Sequence, residues 1–101
     1  PQCPFSGPTL SESPNPVLAG GNVKVSGSNF KPGPVTLAYY AGNAAGKNAG
    51  TVIAGSNCAF SNAIVKTALI GGLLTSRADK VQACDSANRC QTVRFTARTI
   101  L

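Results

Sequence analysis

The chain has no histidine, no methionine and no tryptophan, and its only carboxylate side chains among 101 residues are Glu12, Asp79 and Asp85. Without histidine there is no Ser–His or Cys–His dyad, and the commonest nitrogen ligand of zinc is missing. The carboxylates serve catalysis no better. Asp79 and Asp85 lie at opposite ends of one extended arm, about 20 Å apart at strand rise, too far for a glycosidase pair. Three acids would need many backbone carbonyls to hold calcium. These absences predict a non-enzymatic chain with no cofactor and no metal. No apolar run approaches the ~20 residues of a transmembrane helix, and no N-x-[ST] sequon occurs. Nothing at Pro1 reads as a signal peptide, which fits a mature or excised form.

Charge is sparse and one-sided. Only 12% of residues are charged, about half the usual share, and nine Lys and Arg against three acids leave a net charge of +6. The cations are scattered rather than run together, so nucleic acid is not the expected partner. The run Lys80 to Arg98, KVQACDSANRCQTVRFTAR, reads as two extended arms folded back on each other. Val93, Phe95 and Ala97 alternate with Arg94, Thr96 and Arg98, and Val81 and Ala83 alternate with Lys80, Gln82 and Cys84, the period-2 pattern of half-buried strands. Arg94 and Arg98 then share an outer face with Lys80, a basic stripe suited to an acidic polysaccharide. Its plainer use is solubility and edge protection.

The four cysteines, Cys3, Cys58, Cys84 and Cys90, have none of the paired C-x₂-C knuckles of a thiolate zinc site and no C-x-x-C of a redox motif. Two disulfides are expected, from three possible connectivities. Cys84 and Cys90 fall on the same outer face of the hairpin, which favours Cys84–Cys90 and leaves Cys3–Cys58. Disulfides place the chain in an oxidising compartment, extracellular or cell-surface. Asp85 opens the hairpin turn, where a carboxylate hydrogen-bonds to nearby backbone.

The rest of the chain reads as one domain over residues 1–101, with a proline-rich arm at 1–16 that is at most an edge strand. Val17 to Phe30 reads as a strand broken by the Gly20-Gly21-Asn22 turn, with a bulge at Gly27. Lys31-Pro32-Gly33-Pro34 is a turn. Val35 to Tyr40 follows, with Val35, Leu37 and Tyr39 on one face and Tyr40 on the other, where its ring is a candidate for surface binding. Ala41 to Gly50 reads as a flexible loop, Thr51 to Ala54 as a short strand, and Cys58 to Val65 as a strand with Phe60 and Ile64 inward. Lys66 to Ser76 reads as an apolar crossing between sheets, and Ile100 and Leu101 as the end of a docked last strand. About seven short strands with regular turn signals make an all-β, immunoglobulin-like Greek-key β-sandwich.

The run VLAGGNVKVSGSNFKPGPVTLAYYAG, with CAFSNAIV and KVQACDSANRCQTVRFTA after it, resembles bacterial immunoglobulin-like surface modules, from turn glycines and alternating strands across Val17 to Arg98. That resemblance implies a non-enzymatic structural or interaction module of a cell-surface, adhesive or filament-forming protein, with protein partners or self-association by strand pairing. A narrower resemblance, on Val23 to Gly33 and the short loop closed by Cys84 and Cys90 before Gln91, is to the neocarzinostatin-type apoproteins. Those are secreted sandwiches that carry an enediyne chromophore, and the likeness implies a small-molecule carrier. This sequence departs from them in lacking their mid-chain pair of cysteines. Binding of polyanions through Lys80, Arg94 and Arg98 is the third reading.

Overall fold

The computed structural model describes residues 7–70 and 76–99. Among these residues there are eight strands and no helix: β1 (Thr9–Ser13), β2 (Val17–Leu18), β3 (Asn22–Ser28), β4 (Gly33–Tyr40), β5 (Lys47–Ala54), β6 (Phe60–Lys66), β7 (Ser76–Asp85) and β8 (Cys90–Arg98). They build a sandwich of two sheets, one in the order β1-β3-β6 and the other β2-β8-β7-β4-β5. The short β2 runs parallel to β8 and every other pairing is antiparallel.

The eighth strand comes from the run Val17 to Phe30, where the expected Gly20-Gly21-Asn22 turn separates two strands, β2 and β3, that lie in different sheets. Gly20 takes a positive φ of 85°, open to glycine at little steric cost, and the turn it makes passes the chain from the five-stranded sheet into the three-stranded one. Val17 and Val23, both buried, therefore reach the core from different sheets. The proline-rich arm contributes β1, an edge strand paired only to β3; its five residues, TLSES, are free of proline and are bounded by Pro8 and Pro14, which cannot extend the ladder.

Alternation governs β4, β7 and β8 of the larger sheet. Val35, Leu37 and Tyr39 of β4, Val81 and Ala83 of β7, and Phe95 and Ala97 of β8 are all buried. They meet Val23 and Val25 of β3 and Phe60, Ala63 and Val65 of β6 in one core cluster, each large aliphatic contributing about 1.5–3 kcal/mol by burial. Phe30 and Phe60 pack with centroids 5.6 Å apart at a 45° tilt. Gly27 lies beneath them, where a Cβ would stand 2.5 Å from Phe30 Cε2 and 2.7 Å from Phe60 Cε1. The register of β3 on β6 slips between Val25 and Gly27, but the extra residue is on β6, where Ser61 and Asn62 face Ser26 alone; the bulge expected at Gly27 is thus on the partner strand, and Gly27 itself serves the close approach of the two rings.

Three expectations need correction. Ile64 is not inward but 53% exposed, while Ala63 and Val65 are buried. Asn62, at φ 58°, interrupts the extended backbone within the bulge of β6 and shifts the phase of that strand by one residue after Phe60. The loop assigned to Ala41–Gly50 is shorter than expected, because β5 already begins at Lys47. Its Gly, Asn and Ala residues carry no alternating signal, yet pair regularly with β4 except for a slip between Leu37 and Ala38. The strand Thr51 to Ala54 is accordingly only the second half of β5.

Residues 67–70 leave β6 for the crossing, held by Thr67, which donates through its N–H (2.9 Å) and Oγ1 (2.8 Å) to the Gly21 carbonyl. The rest of that crossing, at 71–75, lies outside the described residues, as do Ile100 and Leu101. Cys84 and Cys90 are bonded to each other. The expected Cys3–Cys58 bond involves Cys3, outside the described residues; Cys58 is buried and no described cysteine is free.

Candidate functional site

The β7–β8 hairpin sets the register of everything on the outer face of the five-stranded sheet. Its turn is fixed by Asp85, whose Oδ1 accepts from the N–H groups of Ala87 and Arg89, both at 2.9 Å. Its Oδ2 accepts from Lys31 N (2.9 Å) and from Arg89 Nε (3.1 Å). The role expected of Asp85 is thus present and extended: the same carboxylate also ties the hairpin to the β3–β4 turn. Burial pushes its pKa up, but the donors from Lys31, Arg89 and Ala87 outweigh burial and hold it below the ordinary carboxylate value.

From this turn the strands pair outward from Cys84 opposite Cys90 to Lys80 opposite Arg94 and Ser76 opposite Arg98. On the other side of β7, Tyr40 stands opposite Lys80. Tyr40, Lys80 and Arg94 therefore form one row across three adjacent strands. The Lys80 ammonium lies 4.7 Å from the centroid of the Tyr40 ring, within cation–π range. Gly46 comes so close beneath that ring that a Cβ there would sit 2.5 Å from Tyr40 Cε2. Tyr40 is consequently half-buried, capped by a cation and lapped by the β4–β5 loop, rather than an isolated surface ring. Arg98, four residues along β8 from Arg94 and about 13 Å away at strand rise, shares the face but not the row.

Beside the row is a groove of about 170 Å³ lined by Gly42, Asn43, Ala78, Asp79, Lys80 and Arg94. Its depth follows from side-chain size, since Ala78 lies between larger neighbours, and Gly42–Asn43 of the loop form the far wall. Asp79 reaches the groove from the inner face. Its Oδ1 accepts from Arg77 Nε at 2.5 Å and from Gly42 N at 3.0 Å. Its Oδ2 accepts from the Tyr39 hydroxyl and from Arg77 Nη2 at 2.8 Å. The Tyr39 hydroxyl in turn accepts from Ala68 N (3.0 Å), and Arg77 Nη2 donates to the Ala68 carbonyl (3.0 Å), so the network anchors the β6–β7 crossing. Burial pushes the pKa of Asp79 up; the hydrogen bonds from Arg77, Tyr39 and Gly42 and the guanidinium charge overcome it, leaving the group ionised below the ordinary range. Burial and the bond to Asp79 push Tyr39 up.

This network was missed in the sequence although its signal was there. Counting back in twos from Val81 puts Asp79 and Arg77 on the inner face, as counting on from Leu37 does Tyr39, and only the habit of reading charges as solvent-facing hides it; that Tyr39 lies within reach of Asp79 depends on the β4–β7 pairing. A second groove, about 210 Å³, runs along β1 and β3 between Thr9, Leu10, Ser11, Ser26, Gly27 and Ser28. Its hydroxyls are largely spent on the sheet: Thr9 Oγ1 and Ser28 Oγ bond each other at 2.5 Å, and Ser26 Oγ accepts from Asn62 N at 3.2 Å. Among the described residues no three His, Cys, Asp or Glu side chains are grouped to hold a metal, and no helix is long and apolar enough to cross a membrane.

No protein-family model and no curated protein matches the sequence. The fold does have a solved counterpart. The chain is similar to the structure of macromomycin, a neocarzinostatin-type apoprotein, with a TM-score of 0.64 over 88% of this chain and 97% of that one, at 13% sequence identity. At that identity the likeness is one of fold: an all-β sandwich of the kind on which neocarzinostatin-type apoproteins are built.

Proposed function

We propose that the protein is a secreted, non-enzymatic small-molecule carrier, with its ligand seated on the outer face of the five-stranded sheet. The observation that carries this reading is the groove beside the Tyr40–Lys80–Arg94 row, within a fold shared with macromomycin. The residues beside Cys84 and Cys90 support it through their resemblance to the neocarzinostatin type. The groove holds about 170 Å³, less than the ~300–1,000 Å³ that enclose a drug-sized molecule. It therefore takes one ring or head group while the rest of the ligand lies along the sheet toward Tyr40. The disulfide in the same hairpin fits an extracellular setting. Native mass spectrometry of the protein secreted by its own cells tests the reading. The expected result is a small added mass that leaves on denaturation and is lost or depleted in Tyr40→Ala. Protein that is uniformly of bare polypeptide mass, and stays so when offered an extract of the culture, would sink it.

The reading as an assembling structural or adhesive module has one observation in its favour. β5 is an edge strand of eight residues paired only to β4, with Ile53 exposed on it. The same strand carries Gly50 at φ 106° and a register slip, features that blunt an edge against pairing, so this reading ranks second. Sedimentation across a wide concentration range separates the two: a monomer throughout leaves no self-assembly.

A further inference from the structure

The distribution of charge around the groove says more about what it takes. The row places two cations, Lys80 and Arg94, directly opposite each other on neighbouring strands, an arrangement that costs stability when nothing anionic lies between. Among the described residues the Arg94 side chain makes no hydrogen bond or ion pair, and the Lys80 ammonium has only the Tyr40 ring. The one carboxylate lining the groove, Asp79, is no counter-ion for them. Both of its oxygens already accept two hydrogen bonds each, and Arg77 neutralises its charge. The other two acids lie elsewhere, Asp85 locked into the hairpin turn by Arg89 and Glu12 on β1 at the edge of the opposite sheet. The groove is thus a concave site with two positive groups that have no anionic partner among the described residues, lined besides by Gly42, Asn43 and Ala78.

We infer that the groove binds an anionic head group, a carboxylate or sulfonate-type oxyanion, on a ligand whose apolar or ring portion lies toward Tyr40. Arg94 supplies a planar pair of donors and Lys80 a mobile point charge that moves from the Tyr40 ring to the anion. Asn43 lines the groove from the loop. This inference rests on the carrier reading and narrows its ligand to an amphipathic anion.

The test uses two fluorescent probes that share a ring system, the sulfonate 8-anilinonaphthalene-1-sulfonate and the uncharged N-phenyl-1-naphthylamine. The expected result is that the sulfonate binds about tenfold or more tightly than the neutral probe and weakens as salt is raised. K80A and R94A each lose about tenfold for the sulfonate, R98A loses little, and all three keep the wild-type melting temperature to within a few degrees. Lys80→Arg retains binding. Equal affinity for both probes, unchanged by K80A and R94A, would overturn the anionic assignment and leave the carrier reading standing. Failure of both probes to bind would overturn the two together. Retention on heparin that needs Arg98 as much as Lys80 and Arg94, without binding of the sulfonate probe, would overturn the head-group site in favour of an acidic polysaccharide along the whole stripe.

Discussion

Asp79 accepts four hydrogen bonds, two on each oxygen, from Arg77, Gly42 and Tyr39, and its side chain has no exposure at all. Removing one member of such a buried pair leaves the other charge uncompensated, at a cost of about 3–5 kcal/mol. Arg77→Met, which strands the fully buried Asp79 carboxylate, is expected to lower stability by that amount in urea unfolding at pH 7, and Asp79→Asn by less because the guanidinium it leaves behind is 21% exposed. Both Asp79 and Asp85 have pKa values below the ordinary carboxylate range. The stability they contribute is therefore present above the unfolded value of ~3.9 and lost as pH falls through their folded values. Glu12 has the opposite sign. Desolvation raises its pKa, and Oε2 is buried without a partner among the described residues. The folded state then holds its proton to higher pH than the unfolded chain does, so stability falls as pH rises from ~4.3 through the folded value. Glu12→Gln is expected to stabilise the protein at pH 7 by about 1 kcal/mol, with the advantage closing below pH ~4. Thermal melts of wild type and variant from pH 3 to pH 8 check this, and a constant offset across that range would contradict the assignment.

At the scale of elements, β6 tests how side-chain phase is set. Ile64 is 53% exposed and Val65 2%, so Ile64→Ser should change stability by less than about 0.5 kcal/mol while Val65→Ala costs about 2 kcal/mol. The reverse order in chemical denaturation would restore the uninterrupted alternation that the sequence suggests. That contrast marks where the sequence is legible. In β4, β7 and β8 the period of two is unbroken, and it assigns the outer positions of Cys84, Cys90, Lys80, Arg94 and Tyr40 from residue types alone. In β6 a single Asn at φ 58° moves every later side chain to the other face, and nothing in the letters distinguishes Asn62 from an ordinary polar strand residue. β5 was half hidden for another reason, because Gly and Ala at its start carry no apolar signature and their pairing is decided by β4. The row across β4, β7 and β8 was readable only in part. Lys80 beside Arg94 follows from the hairpin, but Tyr40 opposite Lys80 depends on a pairing between strands forty residues apart.

Across the whole molecule, charge is sorted by depth. Asp79 and Asp85 are buried and each is paired with an arginine, and Glu12 is partly buried. Two of the nine cations are used in those pairs, and the remaining seven have no ion pair among the described residues. The net charge of +6 is therefore displayed outward almost without surface carboxylates to offset it. Two electrostatic terms then respond to salt with opposite signs. Repulsion among the outer cations acts through solvent and is screened as the Debye length shrinks from ~30 Å at 0.01 M to ~8 Å at 0.15 M. The ion pairs weaken with salt but by less, because their carboxylates are fully buried while Arg77 and Arg89 are 21% and 37% exposed. Screening relieves the repulsion, so the melting temperature is expected to rise with sodium chloride over that range by several degrees, equivalent to about 1 kcal/mol for a chain of this size. K80A and R94A remove two of the repelling charges from one row, and each should raise the melting temperature at low salt and shrink its salt dependence. A melting temperature that falls as salt is added would mean that the ion pairs of Asp79 and Asp85 are the salt-sensitive ones, and that the outer cations do not repel one another as their placement requires.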